Sequence, residues 1–206
     1  MVTSVDRFCT SWKGGAIEWF VFFLSIGYDP TIQHTDGNSS LHVSMQCFDP
    51  VILPAVIKRM SVNIKNNDGH SPVALSILFN NDAALDIVGR RNADRNIVDD
   101  NGDMLLHLAC RGKSYTIVKH IAYHQCNVNA RNDKSQTALH VACAVGHPTV
   151  ISALRPYLPD LTLQDGELRK SLMVAIFWGH QDKAMLLLEW YCLIYRSFSV
   201  RRMRKD

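Results

Sequence analysis

Residues 137–143 read TALHVAC, and residues 104–110, thirty-three positions earlier, read the similar MLLHLAC. The spacing continues as KSLMVAI at 170–176, SPVALSI at 71–77 and, after a step of thirty-two, SSLHVSM at 39–45. One further step back reaches Phe8, in a degenerate copy. A fixed period of roughly 20–50 residues is the signature of a repeat array. The sequence therefore predicts about six copies of one structural unit, spanning residues 1–191.

Each copy carries the same internal pattern around this heptad. Four residues before its aligned apolar position stands the glycine of a turn-forming dipeptide: Asp36-Gly37, Asp68-Gly69 or Asn101-Gly102. Glycine and asparagine suit such turns because they accept a positive φ. The heptad opens a short apolar helix, and Gly146 or Gly179 stands where glycine can end it. A second apolar segment follows, so each copy is predicted to hold two short helices and a turn.

Two short helices and a turn cannot bury their apolar faces in isolation. When copies stack, those faces are buried continuously, and each copy contacts only its neighbours. The predicted fold is therefore all-α: a solenoid of stacked helix-turn-helix units with β-hairpin or turn loops between them.

This pattern resembles the ankyrin repeat, whose signature reads T-P-L-H-x-A at a period of about 33 residues. The resemblance implies copies at 1–33, 34–66, 67–98, 99–131, 132–164 and 165–191, followed by a basic C-terminal tail at 192–206. The fourth and fifth copies match best, and the first is degenerate. The sixth has Met173 in place of the histidine and Gly166 two places before the usual turn glycine, which leaves the form of its hairpin open.

Composition and charge narrow the class of protein. The chain has 206 residues, of which 47% are hydrophobic, and its net charge of +3 is concentrated in residues 196–206. Because phosphate-backbone binding needs cations clustered on a folded face, we expect no nucleic acid partner. No signal peptide, transmembrane stretch or Cys-x-x-Cys pair is evident. We expect a cytoplasmic monomer, with the basic run as a candidate nuclear-import or anionic-surface signal.

The histidines follow the repeat rather than a catalytic pattern. His42, His107 and His140 fall on the histidine of the signature, which the resemblance assigns to hydrogen bonds between the helix start and the hairpin. His147 and His180 share a second repeated position, in the turn between the two helices. Repeat position therefore accounts for these five side chains without a catalytic role.

The remaining candidates for chemistry are also explained structurally. His120 and His124 can share one helix face, but two ligands do not make a closed metal site. Cys110 and Cys143 stand where a small helix residue is wanted, and nothing pairs them with a base. We therefore expect no catalytic residue, no metal, no cofactor and no enzymatic activity.

The resemblance implies that a protein partner is held by the hairpin tips and by the solvent side of the first helices, on the concave face. Carried onto this chain, these positions are Asn67, His70, Phe79, Asp100, Asn101, Asp103, Arg111, Asp133, Lys134, Gln136, Val145 and Trp178. Aromatic and arginine side chains are frequent binding anchors, so Phe79, Arg111 and Trp178 are the predicted hot spots. The alternative for Trp178, together with Phe177, is packing against the C-terminal extension.

Two further features concern partners and modification. Asp99, Asp100 and Asp103 cluster at the tip of the fourth copy, which favours a partner with a basic segment. The alternative is that aspartate simply suits solvated turns. Asn63 and Asn129 resemble the hairpin asparagines that asparaginyl hydroxylases modify in this family, which is a susceptibility rather than a function.

Pro54 falls inside the expected second helix of the second copy. Since proline in a helix interior costs about 3 kcal/mol, we predict that this helix begins near Pro54. The N-terminal third is predicted to be the least stable part of the array.

The predicted function is non-catalytic protein binding, as an inhibitor, adaptor or scaffold. Two narrower versions are an inhibitor of a transcription factor and a fragment of a larger signalling or ubiquitin-ligase adaptor. The alternatives from other classes are an enzyme with a site in the groove, and a peripheral membrane or nucleic-acid protein anchored by its tail.

Overall fold

The structure, a computed structural model, describes residues 32–33, 35–46, 57, 61–89, 97–123 and 127–202. The chain divides into two compact units, one ending at Leu108 and the other beginning at Ala109. The helices of the described ranges are α1 (Ser40–Gln46), α2 (Pro72–Leu78), α3 (Asp82–Gly89), α4 (Leu105–Arg111), α5 (Tyr115–Tyr123), α6 (Ala138–Val145), α7 (Pro148–Leu154), α8 (Ser171–Phe177) and α9 (Gln181–Arg202), with a 3₁₀ turn at Arg155–Tyr157. These are stacked helix pairs, so the predicted all-α solenoid fold is confirmed.

In the first unit, α2 and α3 form one helix pair, and α1 of the preceding copy packs against α2. The start of α2 follows from its sequence. The Ser71 hydroxyl accepts a hydrogen bond from the backbone N–H of Ala74 (3.2 Å), and Pro72 occupies the first turn. Serine satisfies a helix N–H that would otherwise be unpaired, whereas proline has none to satisfy. The heptad that begins at Ser71 is buried as far as Ile77.

In the second unit, α6 pairs with α7, α8 pairs with α9, and α8 packs against α6. α6 begins after Thr137, which forms a capping box with His140: the Thr137 hydroxyl accepts from the His140 backbone N–H, and the His140 ring accepts from the Thr137 backbone N–H. The helix ends at Gly146, which has a φ of 70°. This left-handed backbone favours glycine, so the predicted helix-ending role of Gly146 is confirmed.

The hairpin loops of the third to sixth copies are each built around a buried Asn or Asp. At Asp99, the Oδ1 atom accepts hydrogen bonds from the backbone N–H groups of Asn101 (2.9 Å) and Asp103 (2.8 Å). The equivalent side chains, each mostly buried and each accepting the same two bonds, are Asn66, Asn132 and Asp165. Antiparallel bridges close two of these loops, at Val98–Met104 and Gln164–Lys170. The loops therefore owe their shape to one carboxylate or amide as much as to glycine.

In the hairpin of the sixth copy, Leu168 and not Gly166 takes the left-handed position of the turn. The left-handed position of the turn is occupied by glycine in three copies, Gly37, Gly69 and Gly102, and by Ser135 and Leu168 in the next two. Leu168, with a φ of 59°, is therefore the equivalent of the turn glycine. Gly166 instead lies against the preceding tip, where its N–H donates to the Lys134 carbonyl oxygen (2.9 Å). A Cβ atom at Gly166 would lie 3.1 Å from that oxygen.

Three sequence expectations concern the two ends of the chain. The predicted helix start at Pro54 and the first heptad at Phe8 lie outside the described residues. At the other end, α9 runs from Gln181 to Arg202 without a break. The proposed boundary between the array and the tail, at residue 191, falls within this helix.

Candidate protein-binding surface

The signature histidines are internal to the fold. The Nδ1 atom of His140 accepts hydrogen bonds from the Thr137 hydroxyl (2.8 Å) and the Thr137 backbone N–H (3.2 Å). Its Nε2 atom then donates to the carbonyl oxygen of Arg169, in the next hairpin (3.0 Å). His42 makes the same set of bonds, to Ser39 and to the His70 carbonyl oxygen (3.1 Å). Each of these rings ties one copy to the next.

Burial shapes the chemistry of these internal groups. It lowers the pKa of His42 and of His140, because desolvation disfavours the charged imidazolium. It raises the pKa of the Cys143 thiol to about 12, so this cysteine is a buried thiol rather than a nucleophile. His120 is exposed, and His124 lies outside the described residues. In the part of the chain that the structure describes, no group of three His, Cys, Asp or Glu side chains could hold a metal ion.

The tip residues predicted from the sequence differ in how far their side chains are exposed to solvent. Those that face solvent are Asn67, Asp100, Asn101, Asp133 and Lys134, and His70 and Gln136 are half-buried. Asp103 is fully buried, which corrects its expected place at the exposed tip. The carboxylate of Asp99 is also turned inward, because it accepts the two backbone N–H groups of its own loop. Of the three aspartates in the fourth tip, only Asp100 is exposed.

The first helices present an aromatic surface in the second unit. Phe177 and Trp178 are 66% and 58% exposed, and their rings meet edge to face with centroids 5.6 Å apart. We call these two residues the aromatic pair. The side chains of the C-terminal extension beyond Leu193 lie outside the described ones, so packing of the pair against that extension stays an untested alternative. Val145, at the position of Trp178 in the preceding copy, is half-buried.

Arg169 supports the aromatic pair and was missed by the sequence prediction. Its guanidinium group lies 5.3 Å from the centroid of the Phe177 ring. Asp165 and Glu167 hold it there through ion pairs of 2.9 and 2.8 Å. The four-residue spacing of Asp165 and Arg169 was a signal for the ion pair between them. That spacing is expected to bring side chains together on helices, whereas these two residues lie in a hairpin.

The remaining predicted positions are also accessible. Phe79, in the first unit, occupies the same repeat position as Trp178 and is partly exposed, and Arg111 is exposed. Asn63 and Asn129 are exposed. The Oδ1 atom of Asn129 accepts a hydrogen bond from the Asp160 backbone N–H (2.8 Å), which orders the loop around it.

None of the described helices combines the length and the apolar character that a membrane crossing requires. This holds for α9 as well, although it has 22 residues.

Comparison with known proteins places this arrangement in a family. A family model described as "Ankyrin repeats (3 copies)" matches residues 81–165 and 106–196. Rabankyrin-5 of Mus musculus and of Homo sapiens are each 28% identical over 124 residues, which is 59% of this chain and 10% of the relative. The putative ankyrin repeat protein L371 of Acanthamoeba polyphaga mimivirus is 30% identical over 111 residues, which is 50% of this chain and 14% of the relative.

The chain thus spans about a tenth of the length of the rabankyrin-5 relatives. The matches do not confirm the predicted count of six copies. The family match covers more than half of the chain and includes the helix pairs of the second unit, the His140 bridge and the hairpin loops around Asp99, Asn132 and Asp165. This protein belongs to the ankyrin-repeat family.

Proposed function

We propose that this protein is a non-catalytic binding module that holds a partner protein on the hairpin tips and on the solvent side of its first helices. The observation that carries the proposal is the aromatic pair. Phe177 and Trp178 stand at repeat positions whose equivalents in the preceding copy, Ala144 and Val145, are also accessible to solvent. These repeat positions are therefore accessible to solvent in both copies, and in the sixth copy large aromatic side chains occupy them.

Aromatic side chains at such positions favour binding over simple solubility. Phenylalanine and tryptophan offer a large apolar area with few rotatable bonds, so a partner that covers them gains much at a small entropic cost. The cation–π contact from Arg169 orders the Phe177 ring before a partner arrives. A pre-ordered anchor loses less side-chain entropy on binding.

The charges near this surface limit the partner's chemistry. In the second unit, Arg169 contacts the Phe177 ring, and its charge is already neutralised by Asp165 and Glu167. In the first unit, the inward turn of Asp99 and Asp103 leaves Asp100 as the exposed carboxylate of the fourth tip. The aromatic pair, rather than an acidic tip, is therefore the proposed centre of recognition.

A pull-down from cell lysate tests this proposal. The full chain is compared with a Phe177→Ala, Trp178→Ala double variant and with a Met185→Ala control, since Met185 is similarly exposed but lies on the second helix of the same copy. Circular dichroism checks that all three proteins are folded to the same extent. We expect a partner that is captured by the wild type and the control and is lost from the double variant. Capture of the same partner by all three would contradict the proposal.

The roles of transcription-factor inhibitor and of adaptor fragment are narrower versions of this binding function. The identity of the captured partner decides between them.

A further inference from the structure

The second helix of the fourth copy, α5, presents aromatic and basic side chains to solvent. The residues that it buries are Ile117, Val118, Ile121 and Ala122. Its exposed residues are Tyr115, Thr116, Lys119, His120 and Tyr123. Because an α-helix has 3.6 residues per turn, these exposed residues form one continuous side of α5. Tyr115 is 45% exposed and Tyr123 is 73% exposed, so this side offers two large rings.

The fifth copy extends this surface. Its second helix, α7, packs against α5 and leads directly into the 3₁₀ turn at Arg155–Tyr157. The Tyr157 hydroxyl donates a hydrogen bond to the Lys119 backbone carbonyl oxygen (3.2 Å), which holds the turn against α5. Arg155, at the start of the turn, is exposed. We call Tyr115, Lys119, Tyr123 and Arg155 the outer basic face.

The two cations of the outer basic face contact aromatic rings and not carboxylates. The Lys119 ammonium group lies 6.0 Å from the centroid of the Tyr115 ring, and the Arg155 guanidinium group lies 5.9 Å from that of Trp190. Both are cation–π distances. Neither cation forms an ion pair with a carboxylate of the described part of the chain. Arg169, by contrast, is neutralised by two carboxylates, so the outer basic face keeps a positive charge that a partner can use.

The positive charge belongs to the fourth and fifth copies and not to the repeat as such. Residues 104–159 contain six Lys or Arg residues and a single acidic residue, Asp133, which lies in a hairpin tip. In the third copy, the positions equivalent to the first two members of the outer basic face hold Asp82 and Asp86, both exposed. In the sixth copy, the exposed Glu189 stands at the position of the third member. These positions therefore face solvent in several copies, and only their chemistry changes.

The spacing of the face indicates what would complement it. Tyr115 and Tyr123 are eight residues apart on one helix, so they lie about 12 Å apart along its axis, with Lys119 midway between them. An extended chain advances about 3.3 Å per residue and points alternate side chains to the same side. A segment of five extended residues therefore spans the same distance. Its first, third and fifth side chains meet the two rings and the ammonium group between them.

We propose that the outer basic face binds an extended acidic segment of a protein, in which a carboxylate stands between two apolar side chains and a further carboxylate reaches Arg155. The tyrosine rings favour a protein over a nucleic acid, because tyrosine is enriched at protein interfaces. Nucleic acid affinity grows with the number of phosphates that are neutralised, and this face offers two permanent cations. The surface lies on second helices, whereas the aromatic pair lies at the end of a first helix. It is therefore a second binding surface, and it does not depend on the first.

An NMR titration of the full ¹⁵N-labelled chain tests this inference. The probe is a synthetic peptide in which Phe, Glu and Phe alternate with Ser, flanked at each end by Glu. A matched peptide carries Gln in place of every Glu. We expect saturable shifts of the backbone amides of residues 115–123 and 155–157 with the Glu peptide, and at least tenfold weaker binding of the Gln peptide.

Two double variants with the same change of net charge give the control. Lys119→Glu with Arg155→Glu should raise the dissociation constant of the Glu peptide about tenfold or more. Lys65→Glu with Lys170→Glu should leave it unchanged, because both of these lysines are exposed and lie outside the outer basic face. Circular dichroism melts show whether each variant is folded, and all four positions are on the surface or close to it.

Absence of saturable shifts at millimolar peptide overturns the inference, as does equal binding of the Glu and Gln peptides. Equal weakening by the two double variants also overturns it, because the effect would then be one of net charge. Tighter binding of a thymidine oligonucleotide than of the peptide, through the same amides, would show that the surface serves a nucleic acid instead. Phe177→Ala with Trp178→Ala should bind the Glu peptide as the wild type does, so the two surfaces are tested independently.

Discussion

The Nε2 atom of His140 donates a hydrogen bond to the carbonyl oxygen of Arg169, which lies 29 residues further along the chain, at 3.0 Å. Arg169 is the same residue whose guanidinium group covers the Phe177 ring. One buried histidine thus positions the backbone of a hairpin whose side chain supports the proposed binding anchor. The stacking of repeats and the shape of the candidate surface are linked through this bond.

His140→Ala should lower the free energy of unfolding by about 2–3 kcal/mol, because the Thr137 and Arg169 groups lose their buried partner. Chemical denaturation followed by circular dichroism measures this change. His147→Ala is the matched control, since His147 is half-buried in the turn between helices and its ring bonds to Thr149, two residues away. The control should change stability by less than about 1 kcal/mol. Equal effects from the two substitutions would contradict the bridging role of His140.

Stability should fall as the pH drops below about 6.5. Burial lowers the pKa of His42 and His140 from the ordinary value of 6.5, so the unfolded chain binds protons at a pH where these folded rings do not. Their stabilising contribution is complete above 6.5 and is lost as the pH falls from there toward the lowered pKa values, by at most about 1.4 kcal/mol per pH unit for each ring.

Denaturation curves at a series of pH values between about 7.5 and 5 measure this loss. The carboxyl group of Asp165, whose pKa is lowered from 3.8 chiefly through its bonds with Arg169 against the opposing effect of burial, acts in a separate and more acidic window. His140→Ala should flatten the dependence of the free energy of unfolding on pH between about 7.5 and 5. An unchanged slope in that variant would show that His140 does not contribute.

Gly69→Ala should destabilise the protein more than Gly179→Ala, although both glycines have a φ of 74°. The backbone strain of a left-handed alanine, roughly 1–2 kcal/mol, is common to the two substitutions. At Gly69 the new Cβ atom would also lie 2.2 Å from the Asp100 carboxylate and 2.6 Å from its backbone nitrogen. At Gly179 nothing lies within 4 Å. The difference between the two unfolding free energies therefore measures tip-to-tip packing, and a difference near zero would show that the tips do not pack closely in solution.

Leu168→Gly should raise the free energy of unfolding by about 0.5–1 kcal/mol. The left-handed strain removed by the substitution exceeds the extra chain entropy that glycine brings to the unfolded state. Chemical denaturation followed by circular dichroism measures this change. Leu193→Gly is the control with the opposite sign, because Leu193 is an exposed residue within α9, where glycine costs about 1 kcal/mol. A loss of stability on Leu168→Gly would mean that the leucine side chain makes contacts which outweigh its strain.

The recurring heptads, the turn glycines and the helix-ending glycines were sufficient to predict the order of helices and the stacked fold. They act locally: a glycine that accepts positive φ and a capping threonine specify their own few residues in any context. The histidines at the signature position were likewise predicted correctly as structural, since repetition at a fixed spacing implies a repeated environment.

The exposure of individual side chains was decided only by the tertiary structure. Asp103 looked like a tip residue in sequence, yet it is buried, because the Asp99 carboxylate bends the loop by binding two of its N–H groups. Met173 and Ile176 look like their buried counterparts, yet they are exposed, because burial at these positions depends on a neighbouring repeat. A residue's conformation follows from its local sequence, whereas its burial depends on what the rest of the chain places against it, and repeat position alone does not say whether a neighbour is there.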